Sequence, residues 1–296
     1  MYEAYFGFSQ RPFAASPLAN RYFPAASADA ARQTLARCVE RGGGAGLLIG
    51  PPGMGKSLLL QVLAGQFAER LRVVQLAGGQ LQTRRELLQA ILYELQLPYR
   101  GLEEGELRLA LVDYLTRGDE CPQGMLLLVD EAQTLPTLLL EELRLMTNLA
   151  RGGEPRVRLV LAGSMELEER FAAPELAAFS QRLTARCYLE PFDRAETIDY
   201  VRFQVAVAGG QTERVFTPAA MEAVYRATDG IPRLANQLCD HALLLAYQAE
   251  ERPVDAKAIE AAWADLNQLP SPWEDEKGNG QSGQDSQTIE FGSLAE

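Results

Sequence analysis

Gly50-Pro51-Pro52-Gly53-Met54-Gly55-Lys56-Ser57 is the stretch that decides the fold of this 296-residue chain. It matches the phosphate-binding pattern GxxxxGK[ST]. An apolar run typical of a buried strand, Leu47–Ile49, precedes it, and a segment with helical periodicity, Ser57–Arg70, follows it. The pattern therefore lies between a strand and a helix, where a phosphate-binding loop has to be. The alternative is a Gly/Pro turn that contains a lysine by chance.

Each residue type in this loop has a physical role in binding phosphate. Glycines let the backbone curl so that its N–H groups face inward, and the following helix adds the positive end of its dipole. Lys56 is predicted to reach the β- and γ-phosphates, and the Ser57 hydroxyl is predicted to bind Mg²⁺. The residues expected to contact the nucleotide are Gly50, Pro51, Pro52, Gly53, Met54, Gly55, Lys56, Ser57 and Leu58.

Short apolar runs alternate with amphipathic segments after the loop. The runs predicted to be strands are Val73–Leu76, Met125–Val129, Val157–Ala162 and Ala185–Leu189. Strand–helix alternation of this kind indicates an α/β fold with a parallel sheet and right-handed crossovers. After Pro191 only helical signals occur, so the sequence predicts a P-loop NTPase domain followed by a small all-helical lid domain.

Helix starts are marked by capping boxes. Thr83 with Glu86 and Asp193 with Glu196 each place a side-chain acceptor three residues before a Glu. A further helix is predicted over Thr137–Ala150.

Composition divides the chain into four parts. Residues 1–27 are aromatic and interrupted by prolines, too apolar for a free tail, and we expect them to pack on the domain that follows. Residues 28–192 are the predicted P-loop domain, and residues 193–269 are the predicted lid. Residues 270–296 are rich in Gly, Ser, Gln and acidic residues, which predicts a disordered acidic tail.

A second candidate for chemistry is Asp130-Glu131, which follows the apolar run Leu126–Val129. A carboxylate at the carboxyl end of a central strand lies beside the P-loop, at the ligand-binding edge of such a sheet. Asp130 is therefore expected to hold the metal, directly or through water. Glu131 is expected to act as general base on the attacking water. The alternative is a strand that enters a solvated turn, and the spacing of about 75 residues from the loop favours the catalytic interpretation.

Three further side chains are candidates for the same site. Ser164 follows a predicted strand, and its hydroxyl is predicted to face the γ-phosphate or the water, or to cap the next helix. Arg233, in a Gly-x-Pro-Arg pattern at the start of a lid helix, is predicted to reach back to the nucleotide. Arg182 is our choice for an arginine finger supplied to a neighbouring subunit. Arg186 is the alternative finger, and a surface ion pair is the competing interpretation.

Composition also excludes several classes of site. The net charge of −12 disfavours extended binding to DNA. The single histidine, His241, nearly excludes a His-dependent triad or a multi-His metal site. The four cysteines form no CxxC pair and are interpreted mainly as buried small hydrophobic residues, as in a reducing compartment. No secretory signal or membrane-spanning stretch is predicted, so we expect a cytoplasmic protein.

Taken in order, these motifs resemble the AAA+ superfamily and, within it, the ExeA-like and the related MSHA-pilus biogenesis ATPases. The residues that carry the resemblance are Tyr5-Phe6-Gly7-Phe8, Arg11-Pro12-Phe13, the loop itself, the run from Leu127 to Gln133, Leu161 to Leu167, Gln181-Arg182-Leu183 and Gly230 to Asn236. They span nearly the whole predicted folded part of the chain.

The resemblance implies an enzyme that hydrolyses ATP with Mg²⁺. It also implies an N-terminal segment near the adenine, a sensor arginine at Arg233, and homo-oligomers whose ATP sites lie between subunits. Its implied partners are proteins of envelope assembly, secretion or type IV-like pili, which would hold the chain peripherally at the inner membrane.

Two other functions remain open on the sequence. One is a DNA-bound AAA+ regulator, as in transposition helper ATPases, using a local patch formed by Arg32, Arg37 and Arg41. The acidic balance disfavours nucleic acid as a partner without such a patch. The other is a nucleotide-dependent scaffold that does not hydrolyse ATP.

Overall fold

The computed structural model describes residues 2–268, apart from residues 15, 17 and 118–122. The predicted acidic tail, residues 270–296, and Cys121 lie outside the described residues.

A five-stranded parallel sheet forms the centre of the first domain. Its strands are β1 (Ala45–Ile49), β2 (Arg72–Ala77), β3 (Met125–Asp130), β6 (Val157–Gly163) and β7 (Leu183–Tyr188). They lie in the order β2-β3-β6-β1-β7 across the sheet. Two short strands, β4 (Ala150–Arg151) and β5 (Glu154–Pro155), form an antiparallel hairpin outside it. The predicted fold class is confirmed, since each predicted run lies within or overlaps one of these parallel strands.

The helices surround the sheet and then form a helical unit. Those of the first domain and the N-terminal segment are α1 (Tyr2–Phe6), α2 (Ala26–Arg41), α3 (Lys56–Phe67), α4 (Arg84–Glu94), α5 (Glu104–Thr116), α6 (Thr137–Met146), α7 (Met165–Ala172) and α8 (Ala177–Ser180). Those of the helical unit are α9 (Arg194–Val207), α10 (Thr212–Val215), α11 (Pro218–Thr228), α12 (Pro232–Gln248) and α13 (Ala256–Asn267).

The inner strands are apolar along their whole length because helices cover both faces of the sheet. In β3, Leu127 and Val129 pack into one core with α4–α7, whereas Leu126 and Leu128 pack into the opposite core with α2 and α3. This alternation follows the two-residue period of a strand. Side chains at the carboxyl ends of the strands are therefore held on a rigid edge.

One helix prediction needs correction, and not every helix was predicted. The helix predicted over Thr137–Ala150 ends at Met146, and Ala150 belongs to the β4–β5 hairpin. Gly152 and Gly153 form the hairpin turn with φ of 61° and 86°, a conformation that favours glycine. Helix α5 had no counterpart among the predicted elements. The sequence pattern that indicates this helix is a row of leucines four residues apart, Leu107, Leu111 and Leu115, which are its buried side chains.

The aromatic N-terminal segment packs on the helical unit, so the prediction that it packs on the domain that follows is wrong for its aromatic side chains. Phe6, Phe8 and Phe13 are buried in the core that α9–α13 form. The rings of Phe13 and Phe216 meet edge to face with centroids 6.1 Å apart. A small helical unit buries little apolar surface by itself, and the segment enlarges its core.

The described cysteines and the histidine are structural. Cys38, Cys187 and Cys239 are buried and free, and burial raises the pKa of Cys187 to about 11. His241 Nε2 lies 2.6 Å from Asp265 Oδ2, which joins α12 to α13. Across the described ranges, no helix has the length and apolar character needed to cross a membrane.

Gly230 packs against the backbone of Phe192 where the helical unit meets the first domain, and this contact leads to a prediction about stability. Gly230 has a φ of 72°, and a Cβ there would lie 1.9 Å from the Phe192 carbonyl oxygen. Gly230→Ala is therefore expected to lower the free energy of unfolding by roughly 2–4 kcal/mol, because it adds both a left-handed alanine and a clash. Urea unfolding measures it. The matched control is Gly65→Ala, since Gly65 lies in α3 and a Cβ added there would meet nothing within 4 Å beyond its chain neighbours and the backbone of its own helix. Equal urea midpoints for wild type and Gly230→Ala would contradict this account.

Candidate functional site

The phosphate-binding loop connects β1 to α3 at the carboxyl edge of the sheet. Gly53 and Gly55 have φ of 86° and 89°, which other residues adopt only with strain. Gly55 is the N-cap of α3 and provides no side-chain hydrogen bond, so the first N–H groups of the helix have no side-chain cap. Such a helix start suits an anion, because it combines free donors with the positive end of the dipole.

Lys56 is buried at the start of α3. Its side chain is only 6% exposed, and Nζ donates to the carbonyl oxygens of Gly50 at 2.7 Å and Pro51 at 3.1 Å. Burial lowers the pKa of Lys56 below its ordinary value, and the carboxylates of Glu131 and Asp130 oppose this only in part. The negative charge of a nearby polyphosphate would favour the charged form of Lys56.

Ser57 and Asp130 meet across the loop and the end of β3. The Ser57 hydroxyl donates to Asp130 Oδ2, and Asp130 Oδ1 accepts the Glu131 backbone N–H at 2.9 Å. A hydroxyl beside a carboxylate presents the oxygen donors that Mg²⁺ prefers. The pair therefore fits the magnesium ion that the loop pattern implies.

Glu131 follows β3 and lines the same cavity as Lys56. Its backbone is left-handed, with φ of 51° and ψ of 37°, which is uncommon for a residue other than glycine. The carboxylate oxygen Oε2 accepts a hydrogen bond from Gln133 Nε2 at 2.5 Å. The predicted base is thus held by a neighbouring amide.

Ser164 lies at the end of β6, at the N-cap position of α7 as predicted. Its side chain makes no capping hydrogen bond, so the capping role of the hydroxyl is not present. The backbone N–H of Ser164 donates instead to Gln133 Oε1 at 3.2 Å.

A cavity of about 490 Å³ lies between the loop, the N-terminal segment and the helical unit. The residues that line it include Phe13, Leu18, Arg21, Pro52, Gly53, Gly55, Lys56, Ser57, Leu58, Glu131, Tyr200, Gln204, Arg233 and Asn236. Arg233 closes one side, where its backbone N–H donates to the Gly53 carbonyl oxygen at 3.3 Å. A Cβ on Gly53 would lie 3.0 Å from Arg233 Cβ, so glycine there allows α12 to approach the loop.

Several side-chain contacts around the cavity had no signal in the sequence. Arg11 Nε donates to Asp240 Oδ1 at 2.6 Å, and Tyr2 donates to the same carboxylate, which ties the N-terminal segment to α12. Arg21 is buried, and its carbonyl oxygen accepts from Gln204 Nε2 at 3.2 Å. These contacts join residues about 180 to 240 positions apart, and no local pattern predicts such pairs.

Arg182 is remote from this cavity in its own chain. Its carbonyl oxygen accepts from the N–H of Ala45, at the amino end of β1, at 3.0 Å, whereas the phosphate loop follows the carboxyl end. Its guanidinium is exposed and bonds Asn148 Oδ1. Arg186 lies farther along β7 and donates to Ser180 Oγ at 2.7 Å. The structure therefore brings neither arginine to the loop of the same chain.

Comparison with known proteins gives the family. Residues 39–171 match the AAA domain model. Over 248 residues the chain is 36% identical to General secretion pathway protein A of Aeromonas hydrophila, an alignment that includes 83% of this chain and 45% of that protein. The chain thus spans less than half of the length of this relative.

Solved structures of low sequence identity share the fold. Cdc6p of Pyrobaculum aerophilum matches with a TM-score of 0.66 at 19% identity, covering 88% of this chain and 70% of that one. The ORC2 protein of Aeropyrum pernix matches with a TM-score of 0.63 at 17% identity, covering 80% and 66%. RuvB of Thermotoga maritima matches with a TM-score of 0.54 at 17% identity, covering 81% and 69%. The matched AAA domain, the P-loop fold and the relationship to General secretion pathway protein A together identify the chain as an ExeA-like member of the AAA+ family.

Proposed function

We propose that the chain binds ATP with Mg²⁺, hydrolyses it, and works as a homo-oligomer whose active sites are completed between subunits. One observation carries the binding and hydrolysis of ATP in this proposal. Lys56, Ser57 and Glu131 line one cavity, and Asp130 contacts the Ser57 hydroxyl at its edge. One site thus contains candidate residues for each of three tasks: binding the phosphates, binding the metal and activating the water.

The residues divide the chemistry between them. The bound substrate supplies the γ-phosphoryl group, which is transferred to water with release of ADP. When ATP binds, Lys56 Nζ donates to phosphate oxygens in place of the two loop carbonyl oxygens. The backbone N–H groups of the loop bind the same phosphates. Ser57 and Asp130 hold Mg²⁺. Glu131 accepts the proton that water loses as its oxygen bonds to phosphorus.

In this proposal the helical unit acts as a lid and contributes an arginine to the site. Arg233 is exposed at the start of α12, beside the loop, and it is the arginine we assign to the γ-phosphate. A charge-assisted bond from α12 to the phosphate would favour the closed lid while ATP is intact. Because the N-terminal segment is bonded to α12, it moves with the lid in this proposal.

We infer that the partners are proteins of an envelope or secretion machine, and the name of the Aeromonas relative, which refers to a secretion pathway, supports the second of these. The chain would then be cytoplasmic and peripheral at the inner membrane. The acidic net charge of −12 fits protein partners better than phosphate backbones.

The DNA-bound alternative depends on a patch of three arginines. Arg32 bonds Asp29 on its own helix at 2.8 Å, and Arg37 bonds Thr34 at 3.1 Å. Pairing with a carboxylate weakens the positive field of such a patch, which favours the protein-partner proposal over this one. Gel shifts with ATP at low salt decide between them.

Lys56→Ala is expected to weaken ATP binding roughly 10- to 150-fold, the equivalent of one charged hydrogen bond, and to lower phosphate release with it. Calorimetry with ATP and Mg²⁺ measures the affinity. Lys257→Ala is the matched control, since Lys257 is exposed on α13, outside the residues that line the cavity. Unchanged ATP affinity in Lys56→Ala would overturn the assignment of the site.

A further inference from the structure

The Gln133 side chain connects the end of β3 with the end of β6. Its Nε2 donates to Glu131 Oε2 at 2.5 Å, and its Oε1 accepts the backbone N–H of Ser164 at 3.2 Å. The two bonds use opposite ends of one amide. A donor is required toward the carboxylate and an acceptor toward the N–H, so only one orientation of the amide satisfies both.

The surroundings of Gln133 keep it in place. Arg170 on α7 donates to the carbonyl oxygens of Gln133 at 2.6 Å and Leu135 at 2.7 Å, which fixes the turn after β3. A Cβ on Gly163 would lie 2.7 Å from Gln133 Oε1, so the last residue of β6 has to lack a side chain. Both the backbone and the amide of Gln133 are thus held by β6 and the helix that follows it.

Glu131 lines the cavity while it makes this bond. It is also the first of the two carboxylates that raise the pKa of Lys56 against the effect of burial, so its charge lies near the phosphate-binding lysine. The bond to Gln133 is therefore compatible with a carboxylate that faces the nucleotide. An amide that fixes a carboxylate in this position reduces the number of orientations the base adopts.

From this geometry we propose that Gln133 is a positioning residue for hydrolysis: it orients Glu131 and couples that carboxylate to the end of β6 at Ser164. The coupling runs through the Ser164 backbone N–H, so position 164 takes part without its hydroxyl. This inference rests on the proposed ATPase function and on Glu131 as its base.

The test combines two substitutions at residue 133 with one at residue 131. Gln133→Ala removes both bonds. Gln133→Glu keeps the size and the acceptor for Ser164 but loses the donor to Glu131. Both variants are expected to lower kcat roughly 10-fold, with KM and the ATP affinity unchanged, because the bond acts on the chemical step. Gln33→Ala is the matched control, since Gln33 donates to a carboxylate, that of Asp29, at 2.7 Å on the exposed part of α2.

A double-mutant comparison separates positioning from general damage. In a Glu131→Gln background, measured in single-turnover experiments, Gln133→Ala is expected to add no further loss, because the residue acts through Glu131. A kcat at or above the wild-type value in both Gln133 variants would overturn the proposal, as would an equal additional loss in the Glu131→Gln background. If Gln133→Ala does not fold, Gln133→Glu decides by the same criteria. Normal turnover in Glu131→Gln alone would instead refute the proposed base.

Discussion

Glu131→Gln is expected to lower kcat for ATP hydrolysis by about 100- to 10,000-fold, the usual contribution of a general base. The amide has nearly the shape of the carboxylate but cannot accept the proton that water loses. The loop, Lys56 and the Ser57–Asp130 pair are untouched by this change, so ATP and Mg²⁺ should still bind. The variant should therefore accumulate bound ATP.

Single-turnover phosphate release, together with calorimetry of ATP binding, measures both halves of this prediction. Glu168→Gln is the matched control, because the Glu168 carboxylate accepts from Tyr188 and does not line the cavity. It should leave kcat and affinity unchanged. Turnover near the wild-type rate in Glu131→Gln would show that another group activates the water.

Arg182→Ala is expected to lower kcat by at least about 1,000-fold, the usual contribution of an arginine finger, while ATP affinity stays the same. Arg182 adjoins the amino end of β1, whereas the phosphate loop begins at its carboxyl end, so it does not reach the loop of its own chain. It is exposed, so a second copy of the chain can present its cavity to it. Specific activity should accordingly rise with protein concentration in the wild type.

Mixing experiments test whether the arginine acts on a neighbouring subunit. An Arg182→Ala subunit keeps an intact cavity, and a Glu131→Gln subunit keeps an intact Arg182. Mixed together, these two inactive variants should recover part of the activity, because some interfaces combine the intact cavity with the intact arginine. Arg186→Ala is the matched comparison on the same strand. No recovery on mixing would refute the assignment between subunits, and loss only in Arg186→Ala would move the finger to Arg186.

The parts of the structure that depend on near neighbours in the chain were predictable. The apolar run before Gly50 became a buried strand and the periodic segment after it became α3, ending at Phe67 instead of Arg70. The capping boxes at Thr83 and Asp193 form as predicted. These features follow from side-chain period and from hydrogen bonds over three residues, which a sequence displays directly.

The contact between Asp130 and Ser57 was predictable for a different reason. Strands of a parallel sheet end at the same edge, so a P-loop after one strand and a carboxylate after another are brought together by the topology. Ser164 illustrates the limit of this argument. Its place at that edge follows from topology, but whether its hydroxyl or its N–H is used depends on the neighbouring side chain, Gln133.

The sequence by itself determined that this chain has a phosphate-binding loop on a parallel sheet, a carboxylate pair beside it and a helical unit after it. Only the tertiary structure decided that the N-terminal aromatic residues pack on that helical unit, that Arg11 bonds Asp240, and that Gln133 joins Glu131 to the end of β6. The first group depends on short-range periodicity and on the fixed direction of parallel strands. The second depends on which distant surfaces exclude water together and which buried polar groups find partners, and local propensity does not encode that choice.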